Sequence, residues 1–178
     1  MTDANALTVT IPGAEPTSET EAANCLLDQR LNRNHIATDR LFAFLMGIQW
    51  WTGVVISTLV SPQTWIGETS QVHSHVLAAV VLGGLISLFP IFLIWRYPGR
   101  TLTRHVVAVA QMSWSALLIH LTGGRIETHF HVFGSLAFLA SYRDWRVIVT
   151  ATVVVASDHL LRGIWWPQSV FGVAIESP

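Results

Sequence analysis

Residues 120 to 131 read His120-Leu121-Thr122-Gly123-Gly124-Arg125-Ile126-Glu127-Thr128-His129-Phe130-His131. A long apolar run ends at Leu121 and another begins at Ile126, so four residues with two glycines must turn the chain back on itself. A connection this short admits only an antiparallel helical hairpin. It brings His120, Glu127, His129 and His131 to one end of the pair. Working outward, five apolar segments are found: Leu41–Val60, His75–Trp95 with Pro90 inside it, His105–Leu121, Ile126–Tyr142 and Val147–Ile164. A membrane-crossing helix needs roughly 20 apolar residues, with about 17 as the lower limit. The last three segments lie near that limit. Thr38 and Asp39 are expected to cap the first segment, and Thr101 or Thr103 the third. The expected fold is all-α: a polytopic membrane helix bundle of about five transmembrane helices, with a polar tail over residues 1–38 and the helical domain over 39–178.

Composition supports this. The chain has 178 residues, 51% of them hydrophobic and only 12% charged, against about 25% charged in a soluble domain. Its mean hydropathy is +0.47. The net charge of −1 lacks the basic footprint that nucleic-acid binding requires. One cysteine, Cys25, excludes an intrachain disulfide or a multi-cysteine zinc site. Residues 1–17 should be disordered on their own. Ser18-Glu19-Thr20-Glu21 fits a capping box for a short amphipathic helix carrying Cys25, Leu26, Leu27 and Leu31. That helix would lie on the membrane surface or dock another subunit.

All ten basic residues are arginines. Eight of them (Arg30, Arg33, Arg40, Arg96, Arg100, Arg104, Arg143 and Arg146) fall on one side of the expected topology, and Arg125 and Arg162 fall on the other. The positive-inside rule then puts the N-terminus in the cytoplasm and the C-terminus in the periplasm of a bacterial inner membrane. Trp95, Trp145, Trp65, Trp165 and Trp166 fall at the two interfaces. Trp50, Trp51 and Trp114 fall deeper, where they would pack between helices, against lipid or against a partner. Gly83-Gly84 would let two helices approach closely.

His73 and His75 open the second segment, and His159 lies near the end of the fifth. Six histidines therefore share the outer level: His73, His75, His120, His129, His131 and His159, with Glu127 beside them. Imidazole suits zinc, copper, iron and nickel, so a transition metal or haem is one reading of the cluster. A pigment is a further possibility in a photosynthetic assembly. The other reading is a hydrogen-bonded polar network tying short helices together. His129 and His131, two apart on a helix, should point to different sides. Glu127 and His131 could share a face, and Asp158 and Arg162 could simply pair. No nucleophile or base motif suggests an enzyme.

HLTGGRIETHFHVFGSLAFLASYRDWRV (120–147) and VVVASDHLLRGIWWPQSVFGV (153–173) resemble the N-terminal membrane domain of bacterial hybrid histidine kinases and chemotaxis-type receptors. The likeness covers roughly Asp39 to Val173. It implies a multi-helix sensory module, with His120, His129, His131 and His159 in the matching stretch. Those receptors continue into a cytoplasmic output domain, whereas this sequence stops at Pro178. The expectation is therefore a non-catalytic transmembrane subunit of a larger membrane complex, respiratory or photosynthetic (reaction-centre or antenna), derived from a sensory domain. It would be held to lipid and to other subunits through the tail and its apolar helix faces. The alternative is a metal- or haem-dependent sensor signalling through a separate partner.

Overall fold

The computed structural model describes residues 18–60, 63–66, 69–72, 74–122 and 124–166. Residues 1–17, His73 and Gly123 lie outside the described part, as do the side chains of Trp65 and His75. The fold is helical: α1 (Ser18–Val60), α2 (Ser74–Arg96), α3 (Thr101–Leu121), α4 (Ile126–Leu139) and α5 (Trp145–Trp165). A small antiparallel hairpin, β1 (Gln63–Ile66) and β2 (Thr69–Val72), joins α1 to α2. A 3₁₀ turn, Ala140–Tyr142, ends α4.

Among the described residues, three helices are long and apolar enough to cross a membrane, those at Ser18–Leu59, Val76–Arg96 and Trp145–Trp165. That is fewer than the five segments expected, for two reasons. α3 carries Arg104, His105, Gln111 and His120 along its length, and α4 has 14 residues, about 21 Å of helix.

The bundle buries polar side chains within an apolar core of Phe42, Met46, Met112, Trp114 and Ile119 and exposes large apolar ones. Buried positions include Asp39, Ser57, Ser87, Gln111, Ser115 and Ser135, while Leu85, Phe92 and Phe130 are exposed. Water would favour the reverse, and lipid favours this arrangement, because an unpaired polar group in hydrocarbon costs several kcal/mol. Trp95, Trp145, Trp165 and Trp166 are exposed at helix ends, as headgroup-level anchors should be.

Two expectations about α1 are corrected. There is no separate amphipathic helix, because one continuous helix of 43 residues runs from Ser18. Thr38 and Asp39 do not cap it. Both are buried inside it, and the Asp39 carboxylate has found partners elsewhere in the chain. α3 likewise starts earlier than expected, at Thr101, with Arg100 as its N-cap and no side-chain cap. α2 runs through Pro90 without ending.

α3 packs against each of the other four helices, and Trp114 at its middle is the hub. Its indole is fully buried. A Cβ added at Gly53 of α1 would lie 2.9 Å from the ring, and one added at Gly83 of α2 would lie 2.8 Å from it. Trp114 Nε1 donates to Ser87 Oγ at 2.8 Å. The Gly83-Gly84 pair thus accommodates indoles, Trp114 and Trp50, rather than a bare helix backbone.

Candidate functional site

The histidines expected to cluster are divided by the packing. His129 and His131 diverge as their spacing requires. The His129 ring meets that of His159 edge-on, with centroids 5.6 Å apart. Each Nδ1–H donates to the carbonyl four residues back, His129 to Arg125 at 3.0 Å and His159 to Val155 at 3.0 Å. His120, at the end of α3, stands edge-on to Trp166. Glu127 is exposed and makes no hydrogen bond to His131 among the described residues. Asp158 and Arg162 do pair. Among the described residues, no three of His, Cys, Asp or Glu come close enough together to hold a metal ion.

His131 turns inward to a polar network between α1, α3 and α4. Gln49 and Gln111 exchange amide hydrogen bonds at 2.9 and 3.0 Å. Gln49 Nε2 also donates to His131 Nε2 at 3.1 Å. That fixes the tautomer: Nε2 accepts, so Nδ1 carries the proton and donates to Ser115 Oγ at 2.8 Å. Ser115 in turn donates to the Gln111 carbonyl at 3.1 Å. Ser135 donates to Gln111 Oε1 at 3.2 Å. Both His131 nitrogens are thus committed to protein partners with the imidazole neutral. A cavity of about 120 Å³ adjoins the network, walled by Phe42, Leu45, Gly134 and Phe138. It is roomy enough for more than one water-sized molecule.

A second polar group lies where the apolar stretch of α1 begins, near the α2–α3 and α4–α5 turns. Asp39 accepts from the Gly99 amide at 2.6 Å and from the Tyr142 hydroxyl at 2.6 Å. It ties α1 to the α2–α3 turn and to the α4–α5 turn. Gly99 has φ +77°, and a Cβ there would meet Asn32 Oδ1 at 2.8 Å, so the turn both needs glycine and lies against α1. Asn34 donates to the Ser141 carbonyl at 2.8 Å. His35 is held between two groups of fixed role. The Tyr142 carbonyl can only accept, so Nε2 donates to it at 3.1 Å. The Arg104 guanidinium can only donate, and its Nη1 lies 2.6 Å from Nδ1, the ring nitrogen left to accept, and 2.7 Å from Nε2. Burial first, and then the Arg104 charge, hold His35 below its ordinary pKa. Arg104 also reaches Asp144 at 3.6 Å, and Asp144 N-caps α5 through the Arg146 amide. Beyond this clamp, residues 18–30 of α1 are exposed on every side.

The sequence did not mark Gln49 or Gln111, and it offered Asp39 only as a helix cap and Arg104 only as one of the asymmetric arginines. For the glutamines a signal existed: a polar side chain mid-way along an apolar run is itself a functional pointer. For Asp39 it did not, because Thr38-Asp39 before an apolar run also fits a helix cap.

A 100-residue stretch, 55% of this chain, is 32% identical to Transducer protein Htr8 of Halobacterium salinarum (strain ATCC 29341 / DSM 671 / R1) and spans 15% of that protein. No family model matches the chain, and no solved structure matches it. The similarity points to a sensory or signalling relationship and lends no support to a reaction-centre or antenna subunit.

Proposed function

We propose that the chain is a non-enzymatic, membrane-embedded sensory module that works within a larger membrane complex and passes its signal to a partner through the projecting part of α1. The observation that carries this is the continuity of α1. One unbroken helix holds Gln49 of the interior network, then the Asp39 and His35 clamp, then the exposed arm with Leu26 and Leu27. A change in the interior that shifts α1 is delivered to the arm through the clamp. The similarity to a transducer supports the same reading.

In this reading all five helices cross the membrane, with the arm in the cytoplasm. α3 crosses because its polar residues face other helices, and α4 crosses with its 3₁₀ extension. The excess of arginine at the arm end supports that orientation, in the cytoplasmic membrane of a prokaryote. The partner is a signalling protein rather than a nucleic acid.

The test is extraction from native membranes in mild detergent, comparing the wild type with a Leu26→Asp, Leu27→Asp double variant. A signalling protein should co-migrate with the wild type in fixed stoichiometry and be lost from the variant. A chain that runs alone, or an assembly indifferent to the arm, refutes the proposal.

A further inference from the structure

A groove of about 630 Å³ runs between α2 and α3, away from the network and the clamp. Its rim residues Leu85, Phe89 and Leu102 are exposed, so it opens sideways to the surrounding hydrocarbon. Its size suits an organic ligand, and only a lipid-soluble one can enter from that side.

The few polar atoms on its wall share one character. His105 lines the groove, and its Nδ1 lies 2.8 Å from Thr150 Oγ1 of α5. The Thr150 hydroxyl already donates to the Arg146 carbonyl at 3.0 Å. Thr150 must therefore accept from His105, which places the proton on Nδ1 and leaves a lone pair on Nε2. No partner for Nε2 is found among the described residues. Ser113 spends its hydroxyl proton on the Val109 carbonyl at 2.9 Å, so it too can only accept. Pro90 has no N–H, so the carbonyl of Ile86 on the same wall loses its helical donor. Of the polar side chains among the lining residues, His105 and Ser113 are each left with an acceptor and no free donor.

We propose that this groove binds a lipid-soluble molecule with an apolar body and a hydroxyl group, the hydroxyl donating to His105 Nε2. A hydroquinone with an aliphatic tail and an isoprenoid alcohol share this chemistry. The corresponding quinone does not, because its carbonyl oxygens would face acceptors alone. A site built to receive a hydroxyl rejects the analogue without one, because its own polar groups are left unpaired. In a sensory module, such a site would distinguish the reduced from the oxidised form of a membrane quinone. The inference goes beyond the proposed function, and the output test above does not depend on it.

The experiment measures retention of a decyl-tailed benzohydroquinone, kept reduced with dithionite, by the full chain in lipid nanodiscs. The oxidised quinone and farnesol are run alongside. The wild type should retain the reduced form in about equimolar amount and roughly tenfold more tightly than the oxidised form. His105→Phe keeps a ring in place but removes the acceptor, and should bring the two forms within about threefold of each other. Thr150→Val frees the tautomer and should do the same, so it decides the matter if circular dichroism shows His105→Phe to be misfolded. Ala110→Trp should fill the groove and abolish retention of both forms. Farnesol retained with the same dependence on His105 assigns the hydroxyl to an isoprenoid alcohol and upholds the shared chemistry. Equal retention of quinone and hydroquinone by the wild type, a preference that survives Thr150→Val, or no retention of any hydroxyl compound overturns the proposal.

Discussion

Replacing Gln49 by Met keeps the length and shape of the side chain and removes its amide. Three hydrogen bonds go: two to Gln111, at 2.9 and 3.0 Å, and one to His131, at 3.1 Å. Two groups are orphaned by this, the Gln111 amide N–H and the His131 Nε2 lone pair. Gln111 Oε1 keeps Ser135. Two independent scales give the cost. Each buried polar group left unpaired costs about 1–3 kcal/mol, which gives about 2–6 kcal/mol for the pair. Hydrogen bonds between membrane helices measured by double-mutant cycles average only about 0.6 kcal/mol, so three of them give about 2 kcal/mol. The scales meet near 2 kcal/mol, and that is the expected loss. Gln111→Met should cost a similar amount. The double variant removes both halves of the amide pair, and should cost at least about 1 kcal/mol less than the sum of the singles, because each single already breaks the shared bonds. The assay is equilibrium unfolding in mixed micelles, with the denaturing detergent fraction as the variable and helicity as the signal. A Gln49→Met protein within about 0.5 kcal/mol of wild type, or strictly additive singles, would refute the claim that these residues form one network.

Two further perturbations probe the packing and the clamp. Gly83→Ala places a methyl group 2.8 Å from Trp114 Cη2, and that ring is already confined by Gly53 and Ser87, whereas a Cβ at Gly134 meets nothing within 4 Å. Thermal unfolding in detergent should therefore show Gly83→Ala destabilised by about 1–3 kcal/mol and Gly134→Ala unchanged or stabilised by up to about 1 kcal/mol; equal effects would dismiss Trp114 as the hub. Because His35 is held below its ordinary value of 6.5, the folded clamp binds the proton less readily than a released His35. Its stability is then intact above that value and declines as pH falls through it, with Arg104, Asp144 and Asp39 as the neighbouring charges. A spin label on Cys25, the one cysteine and an exposed one, should hold its mobility above the ordinary value of 6.5 and gain mobility as the pH falls below it. The change should be absent in His35→Gln, and an identical response in that variant would rule out His35 as its source.

The apolar runs made the helices legible, because lipid-length hydrophobic stretches have few alternative folds. Azimuth and continuity were not legible. His129 and His131 are neighbours in sequence and depth, yet one meets His159 and the other Gln49. Only the packing of α4 against both α3 and α5 decides which face turns inward. The unity of α1 was hidden for a related reason. Asp39 looks like a cap until its partners are known, and these lie 60 and 103 residues away at Gly99 and Tyr142. A carboxylate with two such donors can remain inside a helix, whereas without them its burial would be prohibitive.

α3 falls short of the length-and-hydropathy standard that α1, α2 and α5 meet, yet it carries most of the chemistry. Arg104, Gln111 and Ser115 recur at seven and four residues, one helical face, and serve the clamp and the interior network. His105, Val109 and Ser113 recur every four residues on the adjoining face and wall the groove. Trp114 fills the side toward Gly53 and Gly83. Packed against four other helices, α3 can carry Arg104, Gln111 and Ser115 because these find protein partners rather than lipid. The same enclosure means that none of its faces can change without moving a neighbour. A ligand in the proposed groove site would contact α2 and α3, and α3 reaches α1, the proposed output helix, at two levels, through Gln111 to Gln49 and through Arg104 to His35. An α3 displaced by that ligand must therefore either break hydrogen bonds at both levels or carry α1 with it.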